Sequence, residues 1–173
     1  MLSLGLALLG AVAAADSAPE NPLLPAESGN VQCYEPDEAK KTCRSISSYH
    51  PLGDQQYSST TTVLISRMSS MTLETTSPVE IKNGAICGLV TPNDIATSKV
   101  RIADRLLDPT EAKPYLEAIQ KSLKALIGKE VCSTYVSSPE GLISKVTVNG
   151  AYRANTDELM KWIGPSESYT VAP

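Results

Sequence analysis

The sequence predicts an α+β fold: a largely antiparallel sheet with one main helix packed on it, stapled by disulfides. Three observations predict it. Thr, Ser and β-branched residues crowd YSSTTTVLISRMSSMTLETTSPVEI, residues 57–81, and such side chains suit a pleated surface. Asn83-Gly84 stands between two apolar runs, the dipeptide that a type I′ hairpin turn favours. Between about Asp108 and Ile127, Ala112, Tyr115, Leu116, Ile119, Leu123 and Leu126 recur at helical spacing, with Gly128 where a C-terminal cap belongs.

In chain order, MLSLGLALLGAVAAA is apolar and ends in small residues. It is shorter than the ~20 residues of a spanning helix, and Ala13 and Ala15 suit a leader peptidase, so residues 1–15 read as a signal peptide cut before Asp16. Its n-region departs from the usual pattern, since no Lys or Arg precedes Lys40. Residues 16–30 carry three prolines and little periodicity, the marks of a flexible, exposed arm. Residues 31–173 then form a single domain. Within it, Pro36 and the helix formers after it predict a short helix ending by Cys43. Strands follow near 57–66 and 70–76, on both sides of Asn83-Gly84, and at Lys99–Ile102, where apolar and charged residues alternate. Pro114 suits a first helical turn, with the Asp108-Pro109 turn possible as a separate piece. Beyond the main helix, strands near 130–137 and 142–149 flank Ser138-Pro139-Glu140-Gly141. Thr156 stands as the cap of a short helix through Leu159 and Met160, and SYTVA forms a last strand.

AICGLVTPNDIATSKVRIAD and EVCSTYVSSPEGLISKVTVNG both run from an apolar-Cys step through a Pro-containing turn to Ser-Lys-Val. This raises a possible β-β-α duplication, which would set Cys87 and Cys132 at matching positions on neighbouring strands.

The four cysteines answer to the export reading. In an oxidising compartment an even count implies disulfides. There is no C-x-x-C pair for redox chemistry, and one His with no close Cys pair does not make a structural zinc site. Of the three connectivities that four cysteines allow, Cys33–Cys43 is favoured as local. Cys87–Cys132 is favoured because it joins the strand before the main helix to the strand after it. No metal or cofactor is expected.

Composition bounds the function. With 42% hydrophobic and 20% charged residues the chain can bury a core, and without Phe that core must be aliphatic. A net charge of −4 with no basic block argues against nucleic acid and anionic membranes. His50, the sole histidine, has Asp54 four residues on, and a base needs a placed nucleophile that no Gly-x-Ser-x-Gly elbow supplies. Phosphate loops and calcium loops are absent. The Ser58–Ser77 hydroxyls form either a contact surface for a sugar or partner strand, or the solvated side of a sheet. Trp162, with Tyr152 and Tyr169, forms either an aromatic contact surface or, for Trp162, a plug at one end of the core. None of the six asparagines begins a glycosylation sequon, which leans toward a periplasm. The sequence reading is therefore a non-catalytic binding or interaction module of the cell envelope, with an unknown protein or glycan partner and no membrane span after leader removal. The alternative is a small periplasmic hydrolase using His50 or a carboxylate pair.

Overall fold

The computed structural model describes residues 21–103 and 105–173; the expected leader and the first part of the expected arm lie outside them. The strands β1 (Val31–Tyr34), β2 (Thr42–Cys43), β3 (Ser45–Gly53), β4 (Gln56–Ser66), β5 (Met71–Lys82) and β6 (Ala85–Leu89) come first. After them run α1 (Pro92–Ala96), β7 (Lys99–Ile102), β8 (Arg105–Leu106) and α2 (Pro109–Ser122). The chain ends with β9 (Glu130–Ser138), β10 (Gly141–Val148), β11 (Ala151–Tyr152), β12 (Glu158–Ile163) and β13 (Thr170–Val171).

The architecture is a closed eight-stranded antiparallel barrel, which corrects the expected α+β sheet with a helix laid on it. Its strands run in the order β4-β3-β1-β12-β10-β9-β6-β5, and β5 returns to β4. The closing ladder runs from Gln56↔Glu80 to Ser66↔Met71. The period-2 alternation that marks a half-buried strand is the same in an open sheet and in a barrel wall. Closure therefore comes from which strands meet, and no single strand records it.

The helix α2 starts near the expected Asp108, but Pro114 lies beyond its first turn and it ends at Ser122, short of the expected Ile127. Asp108 accepts from the amides of Thr110 and Glu111, and Glu111 reaches back to the Asp108 amide, a reciprocal capping box. It is continuous from Pro109 with Pro114 inside it, so Asp108-Pro109 is no separate piece. Instead of covering a sheet face, it packs by Ala112, Leu116 and Ile119 on Leu73, Val100 and Leu107. This small second core lies where β5 extends beyond β6 to pair with β7.

Other expectations are corrected by pairing. Residues 36–43 form no helix: Asp37 and Thr42 bridge each other, and Glu35 and Lys41 take left-handed angles of 50° and 57°. That tight return brings the Cα atoms of Cys33 and Cys43 to 5.5 Å, which an eight-residue helix, about 10 Å long, would have opposed. The segment through Leu159 and Met160 is the strand β12, because Glu158, Met160 and Trp162 alternate into the barrel beside β1 and β10. The duplication is not seen. Residues 85–102 make strand, helix and an outlying strand, whereas 130–148 make a plain hairpin. SYTVA does contribute a strand, β13, pairing parallel with β2.

The expected arm is likewise corrected from residue 21 onward. Leu24–Ser28 form a 3-10 turn, and Leu23 is 0% exposed among Tyr49, Tyr57, Ile81 and Ile86. Trp162 packs on the same cluster, so this end of the barrel is stoppered.

Both cysteine pairs are joined, Cys33–Cys43 and Cys87–Cys132. Cys87 and Cys132 lie directly opposite on β6 and β9, and their ring spans α1, β7, β8 and α2. In the chain-entropy picture this ring restricts the unfolded chain by about 4 kcal/mol, against about 3 for the short one. The Cys87→Ala/Cys132→Ala variant should therefore unfold at lower denaturant than Cys33→Ala/Cys43→Ala. Equal midpoints in parallel urea titrations would remove the organising role of the longer ring.

Candidate functional site

The pairing registers send one side chain in two toward the barrel axis, and the inward set is unusually small and hydroxylated. From β3 and β4 it includes Ser45, Ser47, Ser59 and Thr61, and from β5 Thr75 and Ser77. β9 and β10 add Ser133 and Ser144, while β6 adds Gly88. Short side chains on facing strands leave space that Leu or Val would fill. The result is a cavity of about 420 Å³, within the range of small-molecule sites. Its other walls are aliphatic, from Leu73, Val79, Ile86, Val131 and Val146. Thr91, Asp94 and Ile95 of the α1 region and Leu123 after α2 close over it.

The alternation in residues 58–77 divides the hydroxyls between the two sides of the wall. Ser59, Thr61, Thr75 and Ser77 line the cavity. Thr60 and Thr76 hydrogen-bond to each other on the exposed outer wall, their hydroxyls 3.0 Å apart. The signal was present in sequence, but alternation alone does not say which set faces in.

Deeper in the barrel lies a polar cluster that sequence reasoning missed. Gln32 is 0% exposed, and its Oε1 accepts from the hydroxyls of Tyr49 at 2.7 Å, Tyr34 at 2.8 Å and Tyr135 at 3.3 Å. The other end of its carboxamide has no partner among the described residues. Burial, reinforced by the neighbouring phenols, pushes Tyr34 well above the ordinary tyrosine range; burial first of all also raises Tyr49 and Tyr135. All three stay neutral donors. Tyr34 is two residues from Gln32 on β1, but Tyr49 and Tyr135 are 17 and 103 positions away, and no local pattern links those two to it.

Glu158 faces inward on β12, opposite Ser144 of β10. Arg44 donates from Nη1 to its Oε1 at 3.0 Å. Burial raises the Glu158 carboxyl above its ordinary value; Arg44 opposes the shift and the nearby Glu35 adds to it. Asp94 is the other carboxylate of the lining, and the lining contains no Lys, Arg or His.

The wall is also incomplete on one side. β5 pairs with β6 only from Glu80↔Cys87 to Lys82↔Ala85, and with β7 only from Met71 to Glu74. Pro78 has no N–H to offer a ladder, and Thr75–Val79 keep β4 as their one strand partner. α1 lies over this split, tied by Ser98, whose hydroxyl meets Thr75 Oγ1 at 2.7 Å and donates to the Asp94 carbonyl at 2.7 Å. Outside it lies a recess of about 310 Å³ bordered by Gln56, Glu80 and Glu130; it shares Val79, Gly88, Leu89, Thr91 and Asp94 with the inner cavity.

The sequence candidates fall elsewhere. His50 is exposed on β3 opposite Ser58, and Asp54 is at the exposed β3–β4 turn; neither lines the cavity. Trp162 takes the plug position, packed beside Leu23. Tyr152 is on the outer wall, where it donates to Asp157 and accepts from Lys145 at 3.1 Å. Tyr169 packs by the Cys33–Cys43 disulfide, with the Lys41 ammonium 4.8 Å from its ring centre. The three do not form one surface. Cys87, Cys132 and Glu130 cluster closely enough to suggest metal ligands, but both sulfurs are spent in the disulfide.

The raised Glu158 carboxyl has a thermodynamic consequence. The folded protein holds that proton more tightly than the unfolded chain does. Its contribution is therefore fully present below the unfolded value and is lost as pH rises through the higher folded value. Glu158→Gln should escape that loss. Its thermal midpoint should match or exceed wild type at about pH 7, and the advantage should vanish at about pH 3, below the ordinary Glu range. A variant less stable than wild type at neutral pH would show that the Arg44 bridge outweighs desolvation.

No family model matches this sequence, and no curated protein or solved structure matches it, so the functional argument rests on the cavity itself.

Proposed function

We propose that this protein is an exported, non-catalytic carrier that holds one small molecule inside its barrel. The observation that supports the reading most directly is the inward run of Ser, Thr and Gly where a packed barrel would place Val, Ile or Leu. Each hydroxyl in place of an aliphatic side chain forgoes burial worth about 1.5–3 kcal/mol, and the forgone packing leaves an accessible space of ligand size. Small closed barrels hold single ligands in this way. A lining that is half hydroxyl and half aliphatic suits an amphipathic guest, with polar atoms toward the serines and an apolar body toward Val131 and Val146.

The two disulfides are consistent with an exported protein, and no helix among the described residues is long and apolar enough to cross a membrane. The outer wall carries ion pairs such as Lys82 with Glu130 at 2.6 Å and Lys99 with Glu74 at 2.7 Å, unlike the apolar band of a lipid-facing barrel. We assign residues 1–15 to a removable leader and place the mature chain in a periplasm or similar oxidising space. N-terminal sequencing of protein recovered from an extracytoplasmic fraction should begin at or near Asp16. Intact chain retained in the membrane would refute the leader.

For the cavity, 1-octanol serves as a plain amphipathic probe. Titration into labelled protein should shift the amide resonances of Ser133, Ser144 and Val146. Ser133→Phe, which fills the cavity from β9, should abolish the shifts while the rest of the spectrum holds. Octanol binding that survives Ser133→Phe, or no shift with any amphipathic probe, would refute an interior site.

A further inference from the structure

We propose that the guest is a monocation, an amine or quaternary ammonium with a short apolar body, and that Glu158 is the group that selects it; this rests on the carrier reading above. The charge balance of the interior carries the argument. Glu158 and Asp94 line the cavity and no basic side chain does. Arg44 reaches Glu158 from the rim, with its side chain 54% exposed, and engages Oε1 alone among the described residues. Oε2 is left for another donor, and Glu35 adds to the negative potential there.

A carboxylate drawn partly out of water and only half partnered is costly to keep. A cationic guest recovers that cost by supplying the missing donor, whereas an anionic guest adds to it. The outer recess repeats the sign. It is bordered by Glu80, Glu130 and Asp94, and Lys82, at 2.6 Å from both glutamates, offsets only one of the three. A cation approaching the split beside α1 meets negative potential outside and again inside.

The buried Gln32 is joined to this cavity through two of its lining phenols, Tyr34 and Tyr49. Its side chain points into the barrel, three phenols engage one end of the carboxamide, and the other end has no partner among the described residues. The fold thus has polar capacity in its interior that it does not itself use. Gln32 does not itself line the cavity, whereas Tyr34 and Tyr49, which donate to it, do.

The test is a matched series of octylamine, 1-octanol and octanoate, measured by calorimetry on the mature protein. One charge-assisted hydrogen bond in place of a neutral one predicts octylamine about tenfold tighter than octanol, with octanoate weakest. In Glu158→Gln, octylamine and octanol should converge to within about twofold while octanol affinity holds. Equal binding of octanol and octylamine by the wild type would overturn the cation assignment and leave the carrier reading intact. An amine preference that persists in Glu158→Gln would overturn the role of Glu158. Failure of all three probes to bind would overturn the carrier reading and the cation assignment together.

Discussion

The closing ladder between β4 and β5 is the constraint on which the rest of the structure depends. It is the longest pairing in the molecule, and it turns a string of hairpins into a ring. Because β5 spends one edge wholly on β4, its other edge must serve both β6 and β7. Pro78 separates those two duties by contributing no N–H between them. The division produces the split in the wall, the position of α1 over it, and the small second core under α2. A sheet edge with exposed ladder groups invites association, and here α1 and its Ser98 tether cover the exposed stretch.

A barrel with hydroxyls facing inward has to find its stability elsewhere. The lumen forgoes much of the burial that packed barrels use, and the compensation sits at the ends and on the outside. Leu23, Tyr49, Tyr57 and Ile81 stopper one end, and Val100, Leu107 and Ala112 form a second core beneath α2. The Cys33–Cys43 disulfide lies in a third cluster outside the wall with Ile163. Cys87–Cys132 fastens β6 to β9 at the level where β6 is about to lose β5. Beyond that point, among the described residues, β9 alone pairs with Gly88 and Leu89. The staple therefore stands beside the split, and rigidity at that place keeps the cavity's side opening defined.

The charges are segregated in the same spirit. Ion pairs such as Lys82 with Glu130 and Lys99 with Glu74 lie on the outer wall, where exposed pairs are worth little each. The inward face holds neutral phenols, hydroxyls and two carboxylates. Burial raises the tyrosines and Glu158 alike, because in every case the charged form is the one disfavoured. For the phenols this secures their role as donors to Gln32. For Glu158 it creates a demand for positive charge that Arg44 meets only in part.

Local patterns in the sequence determined the parts that depend on near neighbours. Asn83-Gly84 marked the β5–β6 hairpin, the helical spacing through Ala112, Leu116 and Ile119 marked α2, and the crowd of β-branched residues marked β4 and β5. Parity and spacing of the cysteines also pointed to the pairs that are joined. Tertiary structure decided everything that depends on meeting a distant strand. Leu159 and Met160 belong to a strand because β1 and β10 lie on either side, and residues 36–43 turn back because Thr42 pairs with Asp37. Leu23 is buried because the end of a barrel needs a stopper, although its own neighbourhood reads as an arm. The cavity is the clearest case. Ser59, Ser133, Ser144 and Glu158 sit on four different strands, and each is an ordinary polar residue in its own segment. Alternation fixes that half of a strand's side chains share a face, but only closure makes that face an interior.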